Sequence, residues 1–252
     1  MPLPLIEKLA MLAPPAWYYR RRIAYETRTG EPELAALATF IRSGGTAIDV
    51  GANQGFYAYA LADVADRVIA FEPNPDYARF ARRMLRGRAE VYGLALSDRP
   101  GRGTFYVPLA DDGVVLHFAG SLKRTHSQFR RNRTYEVEIR TLDGFIDGLG
   151  GDFTGADVCF IKADVEGSER EVLDGARATI ARHRPVILLE LLSGTHEDPG
   201  AYTAAICTSF GYDAFILQRG ERIPALPAIA ALGKNTSWDT DIESRNVLFL
   251  PQ

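Results

Sequence analysis

The chain has 252 residues, with 29 basic and 32 acidic side chains, a formal net charge of −3 and a sequence pI near 5.9. At 46% apolar and 24% charged, with 23 glycines and 14 prolines, it sits near globular averages, which excludes a disordered or collagen-like chain. Two cysteines, Cys159 and Cys207, lie outside any CxxC or Cys/His ligand spacing; they exclude a disulfide framework and fit a reducing compartment.

The chain opens Met1-Pro2-Leu3-Pro4-Leu5-Ile6-Glu7-Lys8, with prolines and an acid where a signal peptide needs a basic start and an apolar run, and no stretch is long enough to span a bilayer. The expectation is a cytoplasmic protein: an N-terminal extension over 1–30 ahead of one domain over 31–252. Trp17-Tyr18-Tyr19-Arg20-Arg21-Arg22 in that extension reads as a packing or interfacial segment, with membrane-surface contact as the lesser expectation.

From there, β-type runs alternate with helical-period stretches, the pattern of a mostly parallel sheet covered on both faces. Leu34, Leu37, Ala38 and Ile41 recur at helical period before Gly44-Gly45, and Thr46 to Val50 reads as strand one. Gly51 to Gly55 then turns into a helix carrying Phe56, Tyr59, Ala60 and Val64. Val68 to Phe71 is strand two. Asn74 is placed to cap the next helix and Pro75 to open it, with Tyr77, Phe80, Ala81, Met84 and Leu85 on the apolar face.

Val91 to Leu96 reads as strand three. An insert over about 98–140 follows, in which Thr104 to Val107 and Tyr135 to Ile139 read as a β-hairpin or ribbon. A short helix from Thr141 leads to strand four, Val158 to Ala163. One helix carries Val172, Leu173, Ala176 and Ile180 and is stopped by Pro185. Val186 to Leu189 is strand five. A helix from about Tyr202 to Phe210, strand six at Tyr212 to Leu217 and a last strand at Asn246 to Leu250 complete the pattern.

In open sheets of this kind ligands bind beyond the carboxyl ends of the strands, where strand order reverses. After strand one comes Asp49-Val50-Gly51-Ala52-Asn53-Gln54-Gly55, whose glycines let backbone approach a ligand. The order is G-x-x-x-G, not the G-x-G-x-x-G of a pyrophosphate-binding turn. Glu72 follows Gly51 by 21 residues, the spacing at which an acid accepts from ribose hydroxyls. Glu72 alone fits a nicotinamide or an adenosine ligand. Without the pyrophosphate glycines, the combination favours a cofactor with adenosine and no phosphate, S-adenosylmethionine.

Five ordered stretches then carry a resemblance. Asp49-Val50-Gly51-Ala52-Asn53-Gln54-Gly55-Phe56-Tyr57, Ala70-Phe71-Glu72-Pro73-Asn74-Pro75, Ala95-Leu96-Ser97-Asp98, Thr141-Leu142-Asp143 and Ile161-Lys162-Ala163-Asp164-Val165-Glu166-Gly167-Ser168-Glu169 resemble the FkbM family of S-adenosylmethionine-dependent methyltransferases over roughly Glu31 to Leu250. Ala163 stands where most members carry a β-branched residue. The resemblance implies an α/β class I methyltransferase fold, Rossmann-like, with seven mostly parallel strands in the order 3-2-1-4-5-7-6, the last strand antiparallel, and helices on both faces. It also implies methylation of hydroxyls on sugars, polyketides and related natural products.

With that strand order, Asp49 orients the turn or meets the cofactor's ammonium group, and Gly51, Ala52, Asn53, Gly55 and Phe56 lie along the methionine moiety. Glu72, followed by Pro73, takes the ribose, and Ala95 to Ser97 edge the adenine. Asp164, after strand four, falls near the sulfonium methyl. Because an alcohol is barely ionised at neutral pH, a positioned base is needed, and Asp164, Glu190 and His196 are the candidates. Glu166 and Glu169 read as helix-start carboxylates that satisfy free N–H groups, and Lys162 as a strand lysine paired with an acid. His117, His126 and His183 show no metal spacing, and no metal is expected.

Lys123, Arg124, Arg130, Arg131 and Arg133 of the insert read as a solvated face, with a phosphate- or carboxylate-bearing substrate as the lesser reading. The acceptor pocket is expected from the insert, Ser193 to Gly200 and Pro224 to Asp241. The expected partner is a small hydroxylated acceptor, with a homo-oligomer an open option. An NAD(P)-dependent oxidoreductase and a non-catalytic cofactor-binding protein stand as alternatives. A nucleic-acid methyltransferase is disfavoured by the slight acidity and by Asp164-Val165-Glu166-Gly167 in place of an Asn-Pro-Pro-Tyr type segment.

Overall fold

All five residues of Thr46–Val50 (β1) are buried, as a parallel strand needs to be when both its edges are paired and both its faces covered. The computed structural model describes residues 12–42, 44–110, 113, 115–116, 119–123, 131–150, 157–192, 196–232 and 242–252. β1 pairs in parallel with Arg67–Phe71 (β2) on one side and, far along the chain, with Val158–Ala163 (β7) on the other. That split between two distant partners is the order reversal, and it opens the crevice used by the site.

Outward from β2 lies Glu90–Tyr92 (β3), and outward from β7 lies Val186–Glu190 (β8), both parallel. Asn246–Pro251 (β11) pairs antiparallel with β8 and with Tyr212–Gln218 (β9). These seven strands reproduce the expected order. The sheet has eight, because Glu221–Pro224 (β10) folds back on β9 through Arg219-Gly220, both at positive φ. A two-residue turn of that kind twists with the strands and leaves little sequence signal around so short an edge strand.

Strand three is also corrected. It stops at Tyr92, and Ala95–Leu96 (β4) leaves the main sheet to pair with Arg131–Arg140 (β6), which is antiparallel to Gly101–Leu109 (β5) in a separate three-stranded sheet. The break is at Gly93, where a β-carbon would lie 2.9 Å from Arg82 Nη2, while Arg82 Nε donates to the Val91 carbonyl. The expected hairpin is therefore real but longer, and its sheet begins at Ala95.

Helices Pro15–Thr29 (α1), Glu33–Phe40 (α2), Phe56–Leu61 (α3) and Pro75–Met84 (α4) cover one face, burying Tyr19, Leu37, Leu61 and Phe80 against Ala47, Val68, Ala70 and Phe160. Asn74 caps α4 by accepting from the Asp76 amide, and Pro75 fills its first turn, as expected. On the other face pack Leu142–Leu149 (α5), Glu169–Asp174 (α6), Arg177–His183 (α7), Pro199–Phe210 (α8) and Ala225–Leu232 (α9), against Ile48, Val50, Ile69 and Phe71. The alternation of Ala47 and Ile48 between the two cores is the period-2 geometry of the strand.

The helix expected through Val172 and Ile180 is two helices. Gly175 lies against Ser97, whose carbonyl oxygen would be 2.1 Å from a β-carbon at 175, and its own carbonyl accepts from the Asp143 amide. Asp143 then starts α7 by accepting from Ala178 N and Thr179 N, each at 2.9 Å. The Thr141-Leu142-Asp143 stretch thus has a structural task, with Thr141 capping α5. No helix among the described residues is long and apolar enough to cross a membrane. Met1 to Lys8 lies outside the described residues.

Candidate functional site

The site begins where β1 ends. Gly51 N and Ala52 N both donate to the Phe71 carbonyl, at 2.9 and 3.0 Å, turning the chain sharply over the end of β2. Gly51 sits at φ 77°, Asn53 at 52° and Gly55 at 82°, a left-handed series that suits glycine and asparagine. At Gly51 the requirement is also steric, since a β-carbon there would lie 1.9 Å from the Asp164 carbonyl oxygen. The ends of β1 and β7 are thus in backbone contact, and Asp164 N donates to the Val50 carbonyl at 3.1 Å.

Glu72, one residue past β2 and 5% exposed, closes the turn from the other side: its Oε2 accepts from Asn53 N at 2.6 Å and its Oε1 from Asn74 N at 2.7 Å. Two backbone donors fix the carboxylate in orientation. Burial nevertheless dominates and pushes its pKa up to about 7. Beneath the turn, Asp49 is fully buried and neither of its oxygens has a hydrogen bond of ordinary geometry. The Ala58 amide and the Lys162 ammonium offset its burial only in part, and its pKa rises to about 6.

A pocket with about 570 Å³ of empty space, open solvent included, lies over these groups. Six predicted residues line it: Gly51, Asn53, Glu72, Pro73, Ala95 and Asp164. Its apolar walls are Phe71, Leu94 and Leu96 with Phe105 and Leu122. Among the described residues the lining holds three carboxylates, Glu72, Asp164 and Glu166, and no lysine or arginine.

The other predicted residues sit elsewhere. Ala52 is packed in the core, and Gly55 opens α3 with its α-carbon against Leu85. Phe56 lies under the Arg22 guanidinium. Ser97 is off the wall, its N–H bonded to the Arg140 carbonyl and its hydroxyl turned to Asp98. His196 Nε2 pairs with Glu169 Oε2 at 2.9 Å, and Glu169 Oε1 accepts from Val165 N and Gly167 N. Glu169 thus ties the turn after β7, the capping type of role expected of it. His183 faces Asp157.

Glu190, at the end of β8, faces Asp164 and Glu166, and each of the three offers an oxygen within 4.8 Å of the others. Oxygens so placed are of the type that holds a hard cation. Burial first, then the facing Asp164 and Glu166 carboxylates, hold the Glu190 carboxyl well above the ordinary range. Lys162 Nζ pairs with Asp164 Oδ2 at 3.1 Å, as the strand-lysine reading expects.

The insert, from which the acceptor pocket is expected in part, reaches this pocket through residues that the sequence does not single out. Ser121 donates to the Glu166 carbonyl at 3.0 Å, and Lys123 Nζ reaches Gly167 O at 2.7 Å and Glu171 at 2.6 Å. These bonds strap residues 119–123 over the 165–167 turn and bring Phe105, Gly120 and Leu122 to the pocket wall; no motif signals this. Arg133 stacks on Tyr135 and lies 3.8 Å from Asp76. Residues 196–200 and α9 do not line this pocket. His117, His126, Arg124, Arg130, Ser193 and 233–241 lie outside the described residues.

The strand order, the glycine turn at the reversal point and the acid after β2 define a class I S-adenosylmethionine-dependent methyltransferase fold. A model of the methyltransferase FkbM domain matches residues 49–218, and the chain belongs to that family. Among solved structures it is similar to the methyltransferase FkbM from Methylobacillus flagellatus KT, at 20% identity and a TM-score of 0.52, covering 94% of this chain and 50% of that one. The chain spans half the length of that protein. It also aligns with SMU.1697c, a putative methyltransferase from Streptococcus mutans in complex with SAH, at 8% identity and a TM-score of 0.46, covering 88% and 97%. No curated protein matches it.

Proposed function

We propose that the chain transfers a methyl group from S-adenosylmethionine to a hydroxyl of a small metabolite, a sugar, polyketide or related natural product. The observation that carries the donor is the charge of the pocket's described lining: three carboxylates and, among the described residues, no lysine or arginine, which repels a diphosphate and attracts a cation. That argues against the nicotinamide dinucleotides, with which Glu72 alone is compatible. S-Adenosylmethionine supplies an electrophilic methyl group, whose bond to sulfur breaks with its electron pair leaving on sulfur.

The residues present fit that donor. Glu72, held by two backbone amides, keeps acceptor capacity for ribose hydroxyls, while Phe71, Leu94, Leu96, Phe105 and Leu122 offer apolar walls for a base. Asp49, buried beneath the turn and outside the pocket lining, orients the turn. Asp164 supplies negative charge at the reversal point and is the base that receives the acceptor's hydroxyl proton as the oxygen–methyl bond forms. Glu190, its carboxyl pushed well above the ordinary range by burial and then by the facing Asp164 and Glu166, stands outside the pocket lining. His196 is turned to Glu169.

Isothermal calorimetry with S-adenosylmethionine and S-adenosylhomocysteine tests the donor, and micromolar binding of both is expected. A screen of sugars, nucleotide sugars and polyketide alcohols with tritiated donor tests the acceptor, with label on oxygen as the expected result. Absence of nucleoside binding, or label on nitrogen or carbon, contradicts the proposal.

A further inference from the structure

Lys162 lies within β7, 3% exposed, where both sheet faces are covered. A buried ammonium persists only with partners. Its Nζ donates to Asp164 Oδ2 at 3.1 Å and stands 4.7 Å above the Tyr57 ring. Across β1 its register partner is Asp49. Tyr57 in turn donates to Glu31 Oε2 at 2.5 Å, and Asn246 Nδ2 reaches the same oxygen at 2.6 Å. The α1–α2 link, α3 and β11 thus build a collar around the ammonium. The Asp164, Asp49 and Glu31 carboxylates outweigh burial and raise its pKa, so the charge is retained.

Asp164 is 27% exposed at its side chain, gives Oδ2 to the lysine, and otherwise faces like charge. Glu190 of β8 and Glu166 of the following turn flank it, Asp49 of β1 and Glu31 lie beyond, and Arg245 before β11 feels Glu190. Lys162 is the cation hydrogen-bonded to Asp164 among the described residues. It does not line the pocket, so whatever it contributes passes through Asp164.

We propose that Lys162 is a positioning residue: it fixes one oxygen of Asp164 and so turns the carboxylate toward the sulfonium end of the pocket. This rests on the proposed methyl donor. The sulfonium and the thioether product differ in charge at one atom and share ribose, adenine and amino-acid groups. The ratio of their affinities therefore isolates the carboxylate that faces sulfur.

The test measures dissociation constants of S-adenosylmethionine and S-adenosylhomocysteine for the wild type, Lys162→Met and Lys162→Arg. The wild type prefers the sulfonium. In Lys162→Met that preference drops about tenfold, the scale of one lost charge-assisted contact. Lys162→Arg restores it. A structural role alone weakens both ligands together and leaves the ratio untouched, which overturns the proposal.

If Lys162→Met does not fold, the double variant with Asp164→Asn decides. A folded double variant assigns the need for the lysine to Asp164; an unfolded one assigns it to packing and overturns the proposal. A wild type that binds neither compound overturns the donor reading, and this inference falls with it. A wild type that binds both compounds equally well overturns this inference alone.

Discussion

A methyl group on Gly51 would sit 1.9 Å from the carbonyl oxygen of Asp164. These two residues close the ends of β1 and β7, so their contact fixes the width of the crevice. Gly51→Ala adds that clash to a left-handed conformation at φ 77°, itself about 1–2 kcal/mol for an L-residue. The variant is expected to lose more than about 5 °C in Tm, at roughly 2–4 °C per kcal/mol for a chain of this size, and to lose nucleoside binding. Differential scanning fluorimetry with and without S-adenosylhomocysteine checks both.

Donor binding should depend on pH through Glu72, whose carboxyl is raised by burial to about 7. It must be ionised to accept from two ribose hydroxyls, so affinity rises between pH 6 and 8 and binding releases protons. Calorimetry at pH 7 in buffers of different ionisation enthalpy measures the release. Glu72→Ala removes the grip and strands the Asn53 and Asn74 amides, and affinity should fall by a factor of about ten or more.

Stability carries the opposite slope. Burial raises Glu31 to about 7 and Glu33 to about 8, above their unfolded values, so the folded state binds the extra protons. Their contribution is complete below about pH 4.5 and is lost as pH rises through 7 and 8. In the absence of ligand, Tm should fall between pH 6 and 8.5. Glu33→Gln, which keeps an acceptor for Ser244, should flatten that fall.

α1 is bound to the site despite its place in the chain. Tyr19 is fully buried, donates to the Gln54 carbonyl at 2.8 Å and stacks on Tyr59, while Tyr18 donates to the Gln54 side chain. Tyr19→Phe removes one donor from the buried Gln54 carbonyl of the 51–55 turn, at about 1–3 kcal/mol. Its Tm should drop by several degrees, with faster hydrogen exchange at 51–55. A variant starting at residue 31 should be far less stable than the full chain.

The strap of the insert makes a local prediction. Ser121, 2% exposed, donates to the 165–167 turn and accepts from Lys123 N. Ser121→Ala should leave Tm within a few degrees yet speed hydrogen exchange at Val165 and Gly167, read by mass spectrometry on overlapping peptides.

What was legible in the sequence was what local chemistry dictates. Gly51, Asn53 and Glu72, which meet at one pocket, were legible because a glycine-rich turn follows one strand and an acid follows the next at a fixed spacing. Asp164 follows from strand order. The Lys162 collar was not legible beyond its acid partner: residues 31, 57, 162 and 246 meet only once five elements have packed. Phe105 and Leu122 reach the pocket through a strap whose bonds run to backbone carbonyls, which no side-chain pattern encodes. β10 hid behind a two-residue turn, and the break at Gly175 depends on contact with Ser97.

The central claim is that the crevice between β1 and β7 holds an adenosyl sulfonium by its ribose at Glu72. A crystal structure of the protein soaked with S-adenosylhomocysteine tests it most directly. The account predicts both ribose hydroxyls within hydrogen-bond distance of the Glu72 carboxylate and the sulfur facing Asp164. A ligand bound elsewhere, or with its ribose turned away from Glu72, would contradict it.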